Sequence, residues 1–179
     1  MLRCVKTVLV SSVLLVTGCA TMTPEECLNA DWYQQGMRDG QSGQSLSIIE
    51  DHNEACNKVG VSVNRARYVA GRDAGLVQYC TPATGFDEGR RGKYYGDVCP
   101  PALERPFVEA YRQGRRIYDA QRRVDSLQSD LNSQQYQLDR AKDDDTRARI
   151  RRHMRDLDDR LRRARDDLYY IERQSRDYR

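Results

Sequence analysis

Cysteine and histidine are the side chains of this sequence best suited to chemistry, and it holds six of the first and two of the second. A cysteine can carry a lipid as a thioether, close a disulfide or bind a metal, and a histidine can act as base or ligand. Cys4 falls in an amino-terminal apolar segment and Cys19 at its end, leaving Cys27, Cys56, Cys80 and Cys99 to pair. Four cysteines allow three pairings, of which Cys27 with Cys56 and Cys80 with Cys99 is preferred. The second pair brackets Thr81 to Val98, a Gly-rich stretch with little apolar material. Closing a loop of that size is worth about 3 kcal/mol. A metal site is the alternative, but there is no Cys-x-x-Cys spacing and only His52 lies near.

Catalysis finds no support in the remaining residues. His153 sits among dense charges, and His52 lies on a helical stretch beside Cys56. The run Gly85 to Gly92 lacks a Lys-Ser/Thr phosphate cradle, and Glu50, Asp51 and Glu54 lack calcium-loop spacing. The expectation is a protein without catalytic residues, metal or cofactor.

Arg3 and Lys6 precede an uncharged run from Thr7 to Val16, followed by Thr17-Gly18-Cys19. This order is that of an export signal, and the run is shorter than the roughly 20 residues needed to span a bilayer. Residues 1–18 are therefore expected to be a signal peptide. Val16-Thr17-Gly18-Cys19 resembles the lipobox of bacterial lipoproteins. The resemblance implies a thioether lipid on Cys19, cleavage before it and acylation, as with palmitate, of the new amino terminus. Residues 19–23 would form a lipidated tether, because several acyl chains hold a protein stably on a bilayer. Ala20, where enterobacterial inner-membrane lipoproteins carry Asp, implies an outer-membrane position facing the periplasm. Losing Arg3 and Lys6 lowers the net charge of +3 to about +1, and with export this argues against a nucleic-acid partner.

The elements that would position these residues read as helices. Thr23-Pro24-Glu25-Glu26 is a capping box that opens a helix expected to run to about Asp39, where Gly40 to Gly43 break it. Ser45 can cap a second helix that carries Ile49, His52 and Cys56 on one face and stops at Gly60. A third is expected from Ser62 to Tyr79, and a fourth from Pro101, with Pro106 tolerable in the first turns.

An aromatic-glycine unit recurs as Tyr33-x-x-Gly36, Tyr68-x-x-Gly71, Phe86-x-x-Gly89 and Tyr111-x-x-Gly114. Each unit presents a ring beside a site without a side chain, where two helices can approach closely. Helix packing is the favoured reading. A groove lined by Arg38, Arg72, Arg90 and Arg115 for an anionic or glycan ligand is the alternative.

From Ile117 the spacing becomes heptad: Ile117, Val124, Leu131 and Leu138, with Ala120, Leu127, Gln134 and Ala141 three residues later. Asp143-Asp144-Asp145-Thr146 interrupts, and Ile150, Leu157, Ala164, Ile171 and Tyr178 resume it with Met154, Leu161, Leu168 and Ser175. Two arms, each about 40 Å at 1.5 Å per residue, are expected to fold back as an antiparallel hairpin. One continuous helix is the alternative. Asp156 with Arg160, Asp158 with Arg162 and Asp159 with Arg163 are spaced to pair on a wet face.

Cys27, Trp32-Tyr33-x-x-Gly36-x-x-Asp39-Gly40, Cys56, Tyr68-x-x-Gly71-Arg72, Tyr79-Cys80-Thr81-Pro82, Gly96-x-x-Cys99-Pro100 and Tyr111-x-x-Gly114-Arg115 resemble a family of uncharacterised bacterial lipoproteins, domain of unknown function 2799. The resemblance spans roughly residues 24 to 120 and implies location and disulfides but no activity. The expected fold is all-α: a small disulfide-stapled helical domain over residues 24–116, then a long antiparallel coiled-coil hairpin over 117–179. The expected function is a membrane-anchored envelope lipoprotein of structural or interaction type, with an envelope protein or a second copy engaging residues 117–179. A peptidoglycan- or lipopolysaccharide-binding module built on the repeat surface is the alternative.

Overall fold

The computed structural model describes residues 21–178, in two compact units. Cys19 and residues 1–18, the expected signal peptide, lie outside the described residues. Among the described residues every regular element is helical, as expected.

The smaller unit joins the stretch before Asp31 to residues 47–63. Its helix α1 (Pro24–Leu28) opens with the capping box: Thr23 N–H donates to Glu26 Oε2 at 2.7 Å, and Glu26 N–H to Thr23 Oγ1 at 3.2 Å. The helix ends at Leu28 rather than continuing to Asp39. Asp31 takes the Tyr33 and Gln34 N–H groups at 2.9 and 3.3 Å, which starts a new helix and breaks the old one. Helix α3 (Ile48–Asn57) begins after Ser47 without a side-chain cap. The Cys27–Cys56 disulfide ties α1 to α3 with Cα atoms 5.2 Å apart, beside buried Met22 and Ile49.

The larger unit holds residues 31–46 and everything from Asn64 onward. Its elements are α2 (Trp32–Gln41), α4 (Arg65–Tyr79), α5 (Pro82–Arg90), α6 (Pro101–Arg140), α7 (Asp144–Gln174) and a 3-10 turn (Arg176–Tyr178). Asn64, not Ser62, caps α4 by accepting from Arg67 N–H at 3.1 Å. The Gly-rich stretch after Cys80, to which the sequence assigns no helix, contains α5. Thr81 caps it through Thr84 N–H at 3.2 Å and Pro82 occupies its first turn, so capping chemistry outweighs its glycines. The Cys80–Cys99 disulfide, Cα atoms 5.7 Å apart, closes this segment over a core of Leu76, Tyr79 and Phe107. The expected boundary between residues 116 and 117 falls inside α6, which passes through it unbroken.

The arm is the antiparallel hairpin of α6 and α7. Its seam buries Leu127, Leu157, Leu161 and Ala164, with Val124 and Leu131 packed alongside. Asp143 makes the reversal by capping α7 through Thr146 N–H at 2.8 Å. Arg147 secures it from the other side, donating to the carbonyls of Leu138 and Ala141 at 2.9 and 3.0 Å. Asp156 pairs with Arg160 at 3.7 Å, whereas Asp159 pairs with Arg162, one residue nearer than its expected partner Arg163.

The returning arm ends on the head of its own unit. Leu168, Ile171 and Tyr178 pack against Phe86, Ala110 and Ile117, and the Tyr178 ring stacks on Phe86 at 6.1 Å. Tyr178→Ala is accordingly expected to cost about 1 to 2 kcal/mol, read as a lower urea midpoint. Amide exchange should accelerate first in the last turn of α7, and uniform protection with an unchanged midpoint would contradict the docking.

Candidate functional site

The aromatic-glycine units meet in pairs, each clasping another. A Cβ on Gly71 would overlap the Tyr33 carbonyl, and one on Gly36 would overlap the Tyr68 carbonyl. Gly40 and Gly75 repeat the contact one turn further along, against the carbonyls of Arg72 and Met37. Two pairs of glycines spaced i, i+4 thus let α2 and α4 pack backbone on backbone, the close approach that small residues permit.

Helices α5 and α6 form a second clasp of the same design. Gly89 faces the Tyr111 carbonyl, Gly114 the Phe86 carbonyl and Gly85 the Phe107 carbonyl. Gly85, Gly89 and Gly92 reproduce the spacing of Gly36, Gly40 and Gly43, while Ala110, Gly114 and Tyr118 reproduce that of Gly71, Gly75 and Tyr79. Gly43 and Gly92 have φ of +66° and +74°, and each lies under a ring, Tyr79 and Tyr118 respectively. Arg72 donates to the Gln44 carbonyl at 2.8 and 3.2 Å, and in the second clasp Tyr111 donates to the Lys93 carbonyl at 2.7 Å. The chain therefore contains one helical clasp twice. Overlaying the clasps pairs Gly36 with Gly85, one helical turn from the alignment suggested by the aromatic residues.

This geometry accounts for the residues of the repeat surface. Gly36, Gly71, Gly89 and Gly114 are filled by partner backbone, and Tyr68 and Phe86 are buried. Tyr33 and Tyr111 are half-buried, each with its carbonyl against the partner glycine. Arg72 is 7% exposed, and Arg115 donates to the Gly92 carbonyl at 3.0 Å and to Asp119 at 3.3 Å. Arg38 donates to Gln35 at 2.6 Å, and Arg90 pairs with Asp87 at 3.4 Å. The four arginines hold loops and neighbouring side chains.

The polar centre of the first clasp is Asp39, which accepts from Tyr68 Oη at 2.7 Å and from Gln35 Nε2 at 3.2 Å. The sequence gives no sign of this partnership, because Tyr68 and Asp39 belong to helices separated by the whole of residues 47–63. Burial, reinforced by the bond to Asp39, raises the Tyr68 phenol above its ordinary value. Burial beside the Glu88 charge pushes Tyr79 up to about 12. A folded pKa above the unfolded 10.0 means that the associated stability is present below pH 10 and is lost as pH climbs toward 12. Helical circular dichroism should hold to about pH 10 and fall beyond it, in step with phenolate absorbance. Helix loss already complete near neutrality would refute that assignment.

The histidines are apart from each other. His52 is buried in the smaller unit, its Nδ1 sharing a 3.0 Å hydrogen bond with Thr21 Oγ1, and His153 is exposed on the arm. Among the described residues no group of three or more His, Cys, Asp or Glu is arranged to hold a metal ion. No helix among them is long and apolar enough to cross a membrane. The concave surfaces of the arm are shallow: one of about 390 Å³ has Ala120, Ala164 and Ile171 at its floor, and another of about 460 Å³ has Leu131 and Met154.

These features define a disulfide-bonded, all-helical protein made of a duplicated glycine clasp with a coiled-coil arm. Residues 31–116 match the model of the family described as "Protein of unknown function (DUF2799)". That span takes in both clasps and the segment inserted between α2 and α4, and leaves most of the arm outside. Neither a curated protein nor a solved structure matches the chain.

Proposed function

We propose that this protein is a lipid-anchored envelope lipoprotein of structural or interaction type, without enzymatic activity, whose arm engages another envelope component. The observation that carries the reading is the arm itself. A two-helix seam leaves Val124, Leu131, Leu138 and Met154 only half covered between charged flanks, the surface a further helix would use. Val16-Thr17-Gly18-Cys19 supports the anchor, and Ala20 supports the outer membrane with the protein facing the periplasm. The alternative of glycan binding on the aromatic-glycine repeat draws no support from glycine faces already filled by partner helices.

The test has two readouts in bacteria expressing the untagged chain. Radiolabelled palmitate should enter the protein and be lost in Cys19→Ala, and crosslinking should capture an envelope protein or a second copy through residues 117–179. An unlabelled wild-type chain would remove the anchor. A labelled chain that captures neither would remove the interaction role.

A further inference from the structure

We propose that the outer side of the arm tip, at Arg151, Arg152 and Arg155 of α7, is a contact surface for the phosphate headgroups of an anionic bilayer. Between Thr146 and Arg155 the chain has Arg147, Arg149, Arg151, Arg152, His153 and Arg155 and no acid. Beyond this stretch α7 balances its charge locally, with Asp156 on Arg160 and Asp159 on Arg162.

Arg147 is committed to the turn through the Leu138 and Ala141 carbonyls. Among the described residues Arg151, Arg152 and Arg155 are exposed and make no ion pair or hydrogen bond. Arg147, Arg151 and Arg155 follow one another at i, i+4, where like charges repel and disfavour the helix. The neighbouring acids are Asp143, Asp144 and Asp145, which complement the helix amino terminus, and Asp156, Asp158 and Asp159 within a turn beyond Arg155, of which Asp156 pairs with Arg160 and Asp159 with Arg162.

At 100° per residue Arg151, Arg152 and Arg155 share an arc of about 100°, so one plane can touch all three. That geometry favours a flat array of closely spaced anions over dispersed carboxylates on a polymer. Guanidinium groups give phosphate two parallel hydrogen bonds each. The charge is complementary, and the acid-free stretch lies at the free end of the arm, beside the reversal and away from the head of its unit.

The identity of the surface rests on the envelope reading above, but the binding chemistry can be tested without it. The full chain is attached to phosphatidylcholine vesicles through a synthetic lipid coupled at its amino terminus, and pure phosphatidylglycerol or pure phosphatidylcholine vesicles are then added. The expected result is clustering with phosphatidylglycerol alone, weakened by salt and reduced about tenfold or more in Arg151→Gln/Arg152→Gln/Arg155→Gln. Arg160→Gln/Arg163→Gln/Arg173→Gln removes the same charge elsewhere on α7 and should retain clustering. Circular dichroism checks that both variants stay helical. Equal loss in the two variants, equal clustering with both lipids, or binding to peptidoglycan sacculi without binding to vesicles would overturn the proposal. Failure of palmitate labelling in cells would remove the anchor and leave the vesicle result standing.

Discussion

Gly71→Ala should destabilise the larger unit by about 3 kcal/mol, and Gly71→Leu should prevent the first clasp from forming. Alanine is the better helix former by about 1 kcal/mol, so propensity alone would predict a more stable protein. Packing decides otherwise, because the added Cβ falls on the Tyr33 carbonyl, a backbone atom that cannot swing aside as a side-chain tip could. Relief would require α2 and α4 to separate, which also loosens the contacts of Gly36, Gly40 and Gly75. Two controls isolate the cause. Gly96 has only side-chain tips nearby, at ordinary van der Waals distance, so Gly96→Ala should be almost neutral. Gly60 has open space but φ of +76°, so Gly60→Ala should lose about 1 kcal/mol through backbone strain alone. Urea unfolding of the four variants is the measurement. A Gly71→Ala protein as stable as the parent would mean that the helices do not touch at the clasp.

The clasp also shows how far a sequence can be read. The units Tyr33-x-x-Gly36 and Tyr68-x-x-Gly71 stand out as a pattern, and a ring beside a missing side chain implies close helices. Which unit meets which, and which backbone atoms each glycine meets, are not in the spacing. They depend on carbonyl oxygens, and every residue type supplies one. The arm was more legible because its period of seven carries the geometry, and Asp143 is a reversal signal of its own. Docking of Tyr178 on Phe86 is not legible in the sequence because both positions fit other roles, as the end of a heptad series and as part of the glycine repeat. The break at Asp31 was hidden by two adjacent helical segments that both favour helix. Only the competing cap divides them. The polar bond between Tyr68 and Asp39 required the fold itself, since the inserted unit separates them in the chain.

That inserted unit leads to the second large effect. Reducing the Cys27–Cys56 disulfide, or replacing Cys56 by serine, should unfold the smaller unit while the clasps stay folded. Two short helices, Pro24–Leu28 and Ile48–Asn57, are each below the length at which a helix persists alone in water. Their shared apolar material is small: among the described residues, Met22, Cys27, Ile49 and Cys56 are its buried hydrophobic side chains. A unit of this size ordinarily needs a covalent staple. The bond closes a sequence separation of 29 residues, worth about 3.5 kcal/mol in the chain-entropy model, a large share of what so small a unit can hold. The opposite outcome is expected for the larger unit, where Cys80–Cys99 adds to a core of Leu76, Tyr79, Phe107 and the clasped backbones. Hydrogen exchange measured with and without reductant separates the cases. Amides of residues 50–57 should lose their protection when the bonds open, and those of α4 should keep most of theirs. His52 gives a second reading at the same place, because its hydrogen bond to Thr21 exists only while residues 21–30 stay on α3. Its imidazole resonances should move toward those of an exposed histidine under reduction. Undiminished protection of residues 50–57 in Cys56→Ser would show that the apolar contacts alone suffice, and that the disulfide only decorates a unit already stable.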